Sequence, residues 1–286
     1  MSSPSVTDLL RVVPGSGPVD VAAYDPRSTP GFHGGKGGSA KSAARKQVRR
    51  LAPHLAELQE RLYAEGRTGG TRRLVVVLQA MDTGGKDGAV RHVLGMVNPG
   101  GVRITSFGKP TEQERAHDFL WRVENAVPEP GYLGVFNRSH YEDVLIVRVH
   151  DLVPPEVWGR RYDQINAWEA RLAEQGVVLL KVFLHISYEE QRARLLARLD
   201  DPTKLWKVNP ADLDERGWWT QYQEAYGVAL ERCSTEVAPW HVLPADRKWY
   251  RDWALSHLLL EALERMDPQY PTRPDLDLDA LRARLT

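Results

Sequence analysis

One cysteine, Cys233, stands in a chain of 286 residues, so neither an internal disulfide nor a multi-cysteine metal site can form. A lone cysteine fits a reducing compartment. Net charge is missing too. The 38 basic residues balance 38 acidic ones, which removes any global case for nucleic acid or a membrane surface but leaves room for a local basic channel. No apolar run approaches the roughly 20 residues of a membrane span, and no hydrophobic segment follows the N-terminus as a secretory signal would. The expectation is a soluble, cytoplasmic protein with no nucleic-acid and no membrane partner. Internal repeats, zinc-ligand spacings and a serine at a nucleophile elbow are absent as well.

What is present is a core-forming composition. With 42% hydrophobic and 27% charged residues, most of the chain should fold, as one large α/β domain or two small ones. Nine tryptophans is a high count, and Trp206, Trp218, Trp219, Trp240, Trp249 and Trp253 lie among basic residues of the second half. Packing explains most of them; nucleobase stacking would need one or two.

Residues 1–40 are rich in Ser, Gly and Pro and read as an N-terminal arm with little core of its own. The cluster from Gly31 to Ser39, with Lys36, follows no strand and reads as a linker. Val48, Leu51, Leu55, Leu58 and Leu62 place an apolar stripe on a helix over Ser42–Glu65. Strands are expected at Leu74–Leu78, Val102–Phe107, Tyr132–Phe136, Val177–Ile186 and Trp240–Leu243. Helices are expected from Gly85 and over Thr111–Ala126, with Thr111 and Glu114 as a capping box, and over Pro154–Gln175, Ser187–Leu199, Gly217–Arg232 and Arg247–Met266. Residues 41–270 then form one domain and 271–286 a C-terminal tail. Strands alternating with helices imply a parallel sheet of about five strands with helices on both faces, which binds ligands at the carboxyl ends of its strands.

The most informative stretch runs from Leu74 to Gly88. An apolar strand breaks into Ala80-Met81-Asp82-Thr83-Gly84-Gly85-Lys86-Asp87-Gly88, and a helix follows, which is the layout of a phosphate-cradling loop. Two positions depart from the usual pattern: Ala80 replaces the first glycine, and Asp87 stands where Ser or Thr normally meets magnesium. Thr83, Gly84, Gly85 and Gly88 let backbone amides approach oxyanions, and Lys86 supplies a mobile charge. A carboxylate among phosphates is repelled unless a cation or an incoming nucleophile lies between. Asp82 is therefore a magnesium ligand, direct or through water, or the group that orients an acceptor phosphate; an Asx turn is the structural alternative. Asp87 suits a metal and the positive end of a helix equally well.

Further cations follow. Arg138 comes directly after a strand. Arg194 and Arg198 share a helix face, and Lys204 and Lys207 flank Trp206 in a Pro-broken loop. A solvated charged face is the common explanation of such a helix. A mobile lid over about residues 198–216, closing on phosphates, is the functional one. His117 and His140 are read as packing residues, because a phosphate acceptor is already anionic and needs no strong base.

Taken together, the loop from Ala80 to Gly88, Ser106-Phe107, His117-Asp118-Phe119-Leu120-Trp121-Arg122, Phe136-Asn137-Arg138-Ser139, Tyr141-Glu142-Asp143, Leu199-Asp200-Asp201-Pro202 and Trp206-Lys207 resemble the polyphosphate kinase 2 family, from about Tyr24 to Pro274. The resemblance implies a P-loop kinase-like three-layer α/β sandwich with a helical lid. It also implies Mg²⁺-dependent transfer of a terminal phosphoryl group between inorganic polyphosphate and a nucleotide, with Mn²⁺ as a substitute metal. By that likeness Lys86 and the loop, including Asp87, hold phosphates with Arg194, while Asp82 aligns the acceptor with the metal. Arg138 touches the transferred group, Arg198 acts from the lid, and Lys204 and Lys207 line the polyphosphate path. Asn137, Glu142 and Arg122 are assigned to the nucleotide. Many members carry Asp where this chain has Asn137, which shifts the metal load to Asp82, with Glu142 or Asp143 as candidates. The Asn-Arg-Ser-x-Tyr-Glu-Asp form is similar to class III members, which act on nucleoside mono- and diphosphates. AMP, ADP, GMP, GDP and ATP are the implied nucleotide partners, and a homodimer or homotetramer the implied assembly. Two alternatives stand beside this reading. An ATP-dependent nucleoside monophosphate kinase would need Ser or Thr at position 87. A non-catalytic phosphate-binding protein would have little use for Asp82.

Overall fold

A computed structural model describes residues 4–35 and 37–285, so Lys36 of the Gly/Lys cluster lies outside the described residues. The core is a parallel sheet of five strands, β1 (Arg73–Ala80), β2 (Val102–Ser106), β3 (Leu133–Asn137), β4 (Val177–His185) and β5 (Trp240–Pro244), in the order β2-β3-β1-β4-β5. β1 is buried along nearly its whole length, as its unbroken apolar run requires of a strand covered on both faces. Register fixes what meets at the sheet's carboxyl edge. Leu78 of β1 lies opposite Asn137 of β3, and Ala80 opposite Leu184 of β4. The loop after β1 and the Asn137-Arg138 turn are thus neighbours, tied by a hydrogen bond from the Arg138 N–H to the Leu78 carbonyl (3.1 Å).

Helices α1 (Val6–Leu10), α2 (Gly37–Arg67), α3 (Lys86–Leu94), α4 (Glu112–Arg115), α5 (Trp121–Glu124), α6 (Ile146–Val149), α7 (Pro155–Glu174), α8 (Tyr188–Leu199), α9 (Ala211–Arg216), α10 (Trp219–Cys233), α11 (Lys248–Met266) and α12 (Leu278–Ala283) complete the described chain. α11 packs on α1, α2 and α3, while α10 packs on α6 and α7; both groups reach β4, giving three layers. Leu55, Leu58 and Leu62 of the expected stripe on α2 are buried. Trp240 and Trp253 are core residues, whereas Trp206 is 79% exposed.

Three expectations are corrected. The helix expected over Thr111–Ala126 is two single turns, α4 and α5. The Thr111–Glu114 capping box does form, but the Asp118 carboxylate accepts from the Leu120 N–H (3.0 Å) and starts a new turn. The N-terminal arm is not coreless. Val6, Leu10, Val12 and Val21 are buried, and residues 11 and 12 pair with the outer edge of β5, covering an otherwise open strand. Gly/Ser/Pro content concealed these few apolar contacts. The Pro-broken lid segment, expected over about residues 198–216, is not loop throughout: it carries a 3₁₀ turn, Pro202–Lys207, and α9.

Candidate active site

The loop between β1 and α3 is built tightly from its own residues. The Gly84 N–H donates to the Met81 carbonyl (2.9 Å), Thr83 adopts φ 61° and Gly85 φ 100°. A Cβ on Gly84 would lie 2.4 Å from the Cβ of Ala80, so alanine is tolerated at the first position because Gly84 carries no side chain. Gly85 and Gly88 clear room for a side chain the sequence did not single out: a Cβ would lie 2.4 Å from the Arg251 guanidinium at Gly85 and 3.2 Å from it at Gly88. Arg251, on α11 and nearly fully buried, donates to the Gly85 carbonyl (3.0 Å) and pairs with Asp252. It braces the start of α3 from below. Nothing in the local sequence around Arg251 marks it for this role, since the contact spans the whole domain.

Lys86 Nζ donates to the Ala80 carbonyl (3.0 Å). Burial pushes its ammonium below the usual lysine range and Arg138 adds to this, against the pull of Asp82, Glu142 and Asp87. Arg138, at φ 64°, is a second non-glycine residue in the left-handed region at this edge, and its guanidinium donates to Asp82 Oδ1 (3.0 Å). The Asn137 amide donates to Asp87 Oδ1 (3.0 Å), and Lys207 reaches Asp87 Oδ2 (3.4 Å). Partial burial alone would raise the Asp87 carboxyl; these two donors and Lys86 outweigh it and hold it below the usual range. Asp87 thus links the phosphate loop, the end of β3 and the lid.

Asp82, Lys86, Asp87, Asn137, Arg138 and Lys207 line a cleft of about 990 Å³, together with Thr83, Gly84, Gly85, Gly88, Arg194, Arg198 and Lys204. Arg198 lies 3.4 Å from Asp212, and Lys204 pairs with Asp201. Asp82 and Arg138 also wall a smaller cavity of about 210 Å³, with Glu142, Asp212, Glu215 and Tyr222 around it. Burial, with help from Asp82, raises the Asp212 carboxyl above its ordinary range. Asp212, Arg91 and Lys248 line the large cleft without having been singled out from sequence. For Arg91 and Lys248 the available signal was a cation near a sheet edge, which only the packing of α3 and α11 supplies.

Two expected ligands sit differently from the sequence reading. Arg194, expected on phosphates, donates to the carbonyls of Thr83 (3.0 Å), Ala245 (2.6 Å) and Asp246 (3.3 Å) and to Glu190 (2.8 Å), so its geometry is that of a second brace under the loop. Arg122, expected on the nucleotide, lines neither cavity; its guanidinium lies over the Phe107 ring, donates to the Gly108 carbonyl (2.9 Å) and stands 3.7 Å from Asp143.

Strand, phosphate loop, helix and a cation-rich lid over a five-stranded parallel sheet define a P-loop kinase-like fold. Comparison with known proteins narrows the class. Residues 38–271 match the family described as polyphosphate kinase 2. An AMP/ADP-polyphosphate phosphotransferase of Meiothermus ruber is 52% identical over 261 residues, spanning 91% of this chain and 94% of that protein. An ADP-polyphosphate phosphotransferase of Rhodopseudomonas palustris is 42% identical over 253 residues, 84% of this chain and 85% of the relative. The crystal structure of polyphosphate kinase 2 from Arthrobacter aurescens TC1 superposes with a TM-score of 0.92 at 48% identity, covering 100% of this chain and 98% of that one. The chain belongs to the polyphosphate kinase 2 family. No helix among the described residues is long and apolar enough to cross a membrane.

Proposed function

We propose that this chain transfers the terminal phosphoryl group of inorganic polyphosphate to nucleoside mono- and diphosphates, forming ADP and ATP, and GDP and GTP. The observation that carries this is the shared wall. Asp82 and Arg138 line both the large cation-rich cleft and the small adjoining cavity, so a donor and an acceptor meet across them. The names of relatives that act on AMP, ADP and polyphosphate support the substrate pair.

In this reading the donor's terminal phosphate lies on the amides of Thr83–Gly88 and on Lys86, with Lys204 and Lys207 along its chain. The acceptor's terminal phosphate enters the small cavity beside Arg138 and Glu142, with Asn137 next to Arg138 on the side of the large cleft. One of its anionic oxygens attacks the donor's terminal phosphorus while the bond to the bridging oxygen breaks. The nucleotide gains one phosphate and the polyphosphate loses one, with no proton to move. Arg138 and, on lid closure, Arg198 neutralise charge on the transferred group.

No group of three or more His, Cys, Asp or Glu side chains arranged to hold a metal occurs among the described residues, which fits an ion held by one carboxylate and substrate phosphates. Asp82 suits that role best. Only its Oδ1 is engaged by Arg138, whereas both oxygens of Asp87 have partners. Asp82 would hold a Mg²⁺, or Mn²⁺ in its place, whose positive charge would offset the repulsion between this carboxylate and the phosphates. Cytoplasmic action and assembly into dimers or tetramers belong to the same proposal; exposed Leu152, Val157 and Ile104 offer apolar surface for self-association.

The test is direct. The protein is incubated with AMP or ADP, Mg²⁺ and long-chain polyphosphate, and nucleotides are followed by chromatography. ADP and ATP are expected from polyphosphate alone. Product from ATP plus AMP but none from polyphosphate would assign an ordinary nucleoside monophosphate kinase instead.

A further inference from the structure

Behind the site, away from both cavities, lies a charged cluster that the reaction does not use. Lys181 on β4 and Glu169 on α7 are fully buried, as are His140 and Tyr141 from the 3₁₀ turn (His140–Val144) that follows β3. Lys181 Nζ donates to Glu169 Oε2 (2.6 Å), to the Tyr141 hydroxyl (2.9 Å) and to the Cys233 carbonyl (2.6 Å). All three of its N–H groups are thereby satisfied. The Tyr141 hydroxyl donates in turn to Glu169 Oε1 (2.9 Å), which also meets His140 Nε2 (3.1 Å). Burial would raise the Glu169 carboxyl, but Lys181 and His140 outweigh it and the group is held ionised.

Such a pair is a poor device for stability, because well-packed apolar residues of similar volume serve as well or better once desolvation is counted. What it supplies is a fixed, directional anchor. The anchored residues are His140 and Tyr141; Arg138, with its φ of 64°, is their near neighbour, and Glu142 follows. From the other side the buried Gln79 amide of β1 lies between Ser139 and Glu142, within 3.1 Å of each. The segment that presents Arg138 and Glu142 to the cavities is clamped from β1, β4 and α7 together.

We propose that the buried Lys181–Glu169 pair, acting through the Tyr141 hydroxyl, is a positioning device that holds Arg138 in its strained conformation and aims it at the transferred group. This rests on the phosphoryl-transfer reading above. Glu169, Lys181 and Tyr141 touch no substrate; they set where Arg138 stands.

Tyr141→Phe removes the hydroxyl and little else. Circular dichroism and the unfolding transition should stay those of a folded protein, kcat should fall about tenfold, as a small misplacement near reacting atoms does, and the KM for the phosphoryl donor should stay within about twofold. Arg138→Ala should lose more. Tyr141→Phe combined with Arg138→Ala should lose no more than Arg138→Ala alone, since the two substitutions remove one effect. Lys181→Met with Glu169→Leu should fold and reproduce the tenfold loss. Folded Tyr141→Phe protein with unchanged kcat, or losses that multiply with Arg138→Ala, would overturn the inference. The cycle is run with whichever donor the wild-type protein uses, polyphosphate or ATP, so a wrong donor assignment shows in the wild type and leaves this comparison intact.

Discussion

Asp82 and Asp87 are both carboxylates in an anion-binding loop, and their surroundings separate them. Asp87 is held by Asn137 and Lys207 and stands in the first turn of α3, where the helix end also favours negative charge. Asp82 faces Arg138 through one oxygen only, across the wall that both cavities share. Asp82→Asn should therefore lower kcat by roughly two orders of magnitude or more, and Lys86→Ala by a similar amount, with secondary structure retained. Asp87→Asn keeps the hydrogen-bonding shape and should cost far less. Single-turnover rates at saturating Mg²⁺ distinguish these outcomes. Near-normal turnover of Asp82→Asn there would reassign its carboxylate.

α3 and the lid are held in opposite ways. α3 is braced by Arg251 from α11 and by Arg194 from α8, both through loop carbonyls. Gly85→Ala combines left-handed backbone strain with a clash against Arg251, and should destabilise the fold by about 1–3 kcal/mol in urea unfolding. Adding Arg251→Ala should remove the clash but not the strain, so the double variant should lose less than the sum of its parts. The lid is tied down at its far end, where Arg216 donates to the Tyr188 carbonyl (2.8 Å), but its cations over the cleft rest on carboxylates: Arg198 on Asp212, Lys204 on Asp201 and Lys207 on Asp87. A polyanion entering the cleft would exchange those partners, which is why a lid is the element suited to bind it.

Across the whole molecule, buried histidines contribute to the loss of stability in mild acid. Burial lowers His140, His185, His241 and His257, and takes His241 down to about 4. The unfolded chain then binds more protons than the folded one between about pH 6.5 and 4, so stability is full above that window and falls as pH drops through it. His241 alone contributes on the order of 3 kcal/mol of this loss. Asp143 works in the other direction. Burial raises it to about 6 despite Arg161 and Arg122, so its contribution is lost as pH rises through about 6. Urea midpoints between pH 7.5 and about 4.5 should fall, and His241→Gln should flatten the slope by about one proton.

The chain order of apolar runs and turn residues determined the strands, most helices, the phosphate loop and the lid segment, because each of these is a local pattern within a few turns of chain. Asp82, Lys86 and Arg138 were legible for the same reason: each sits in, or directly at the end of, a loop that follows a strand, where a parallel sheet gathers its ligands. Tertiary structure alone decided which charges serve whom. Arg194 was expected on phosphates and Arg251 was not singled out; both are braces because the packing of α8 and α11 turns them onto carbonyls of a loop far away in sequence. Arg122 was drawn away to Phe107 and Gly108. The arm escaped notice because Val6, Leu10 and Val12 are too few to show a period, yet each finds a place against β5 or α11 once those exist. A charge has no local signature of its partner. Lys181 interrupts the apolar run of β4, and only the fold brings Glu169, Tyr141 and the Cys233 carbonyl around it.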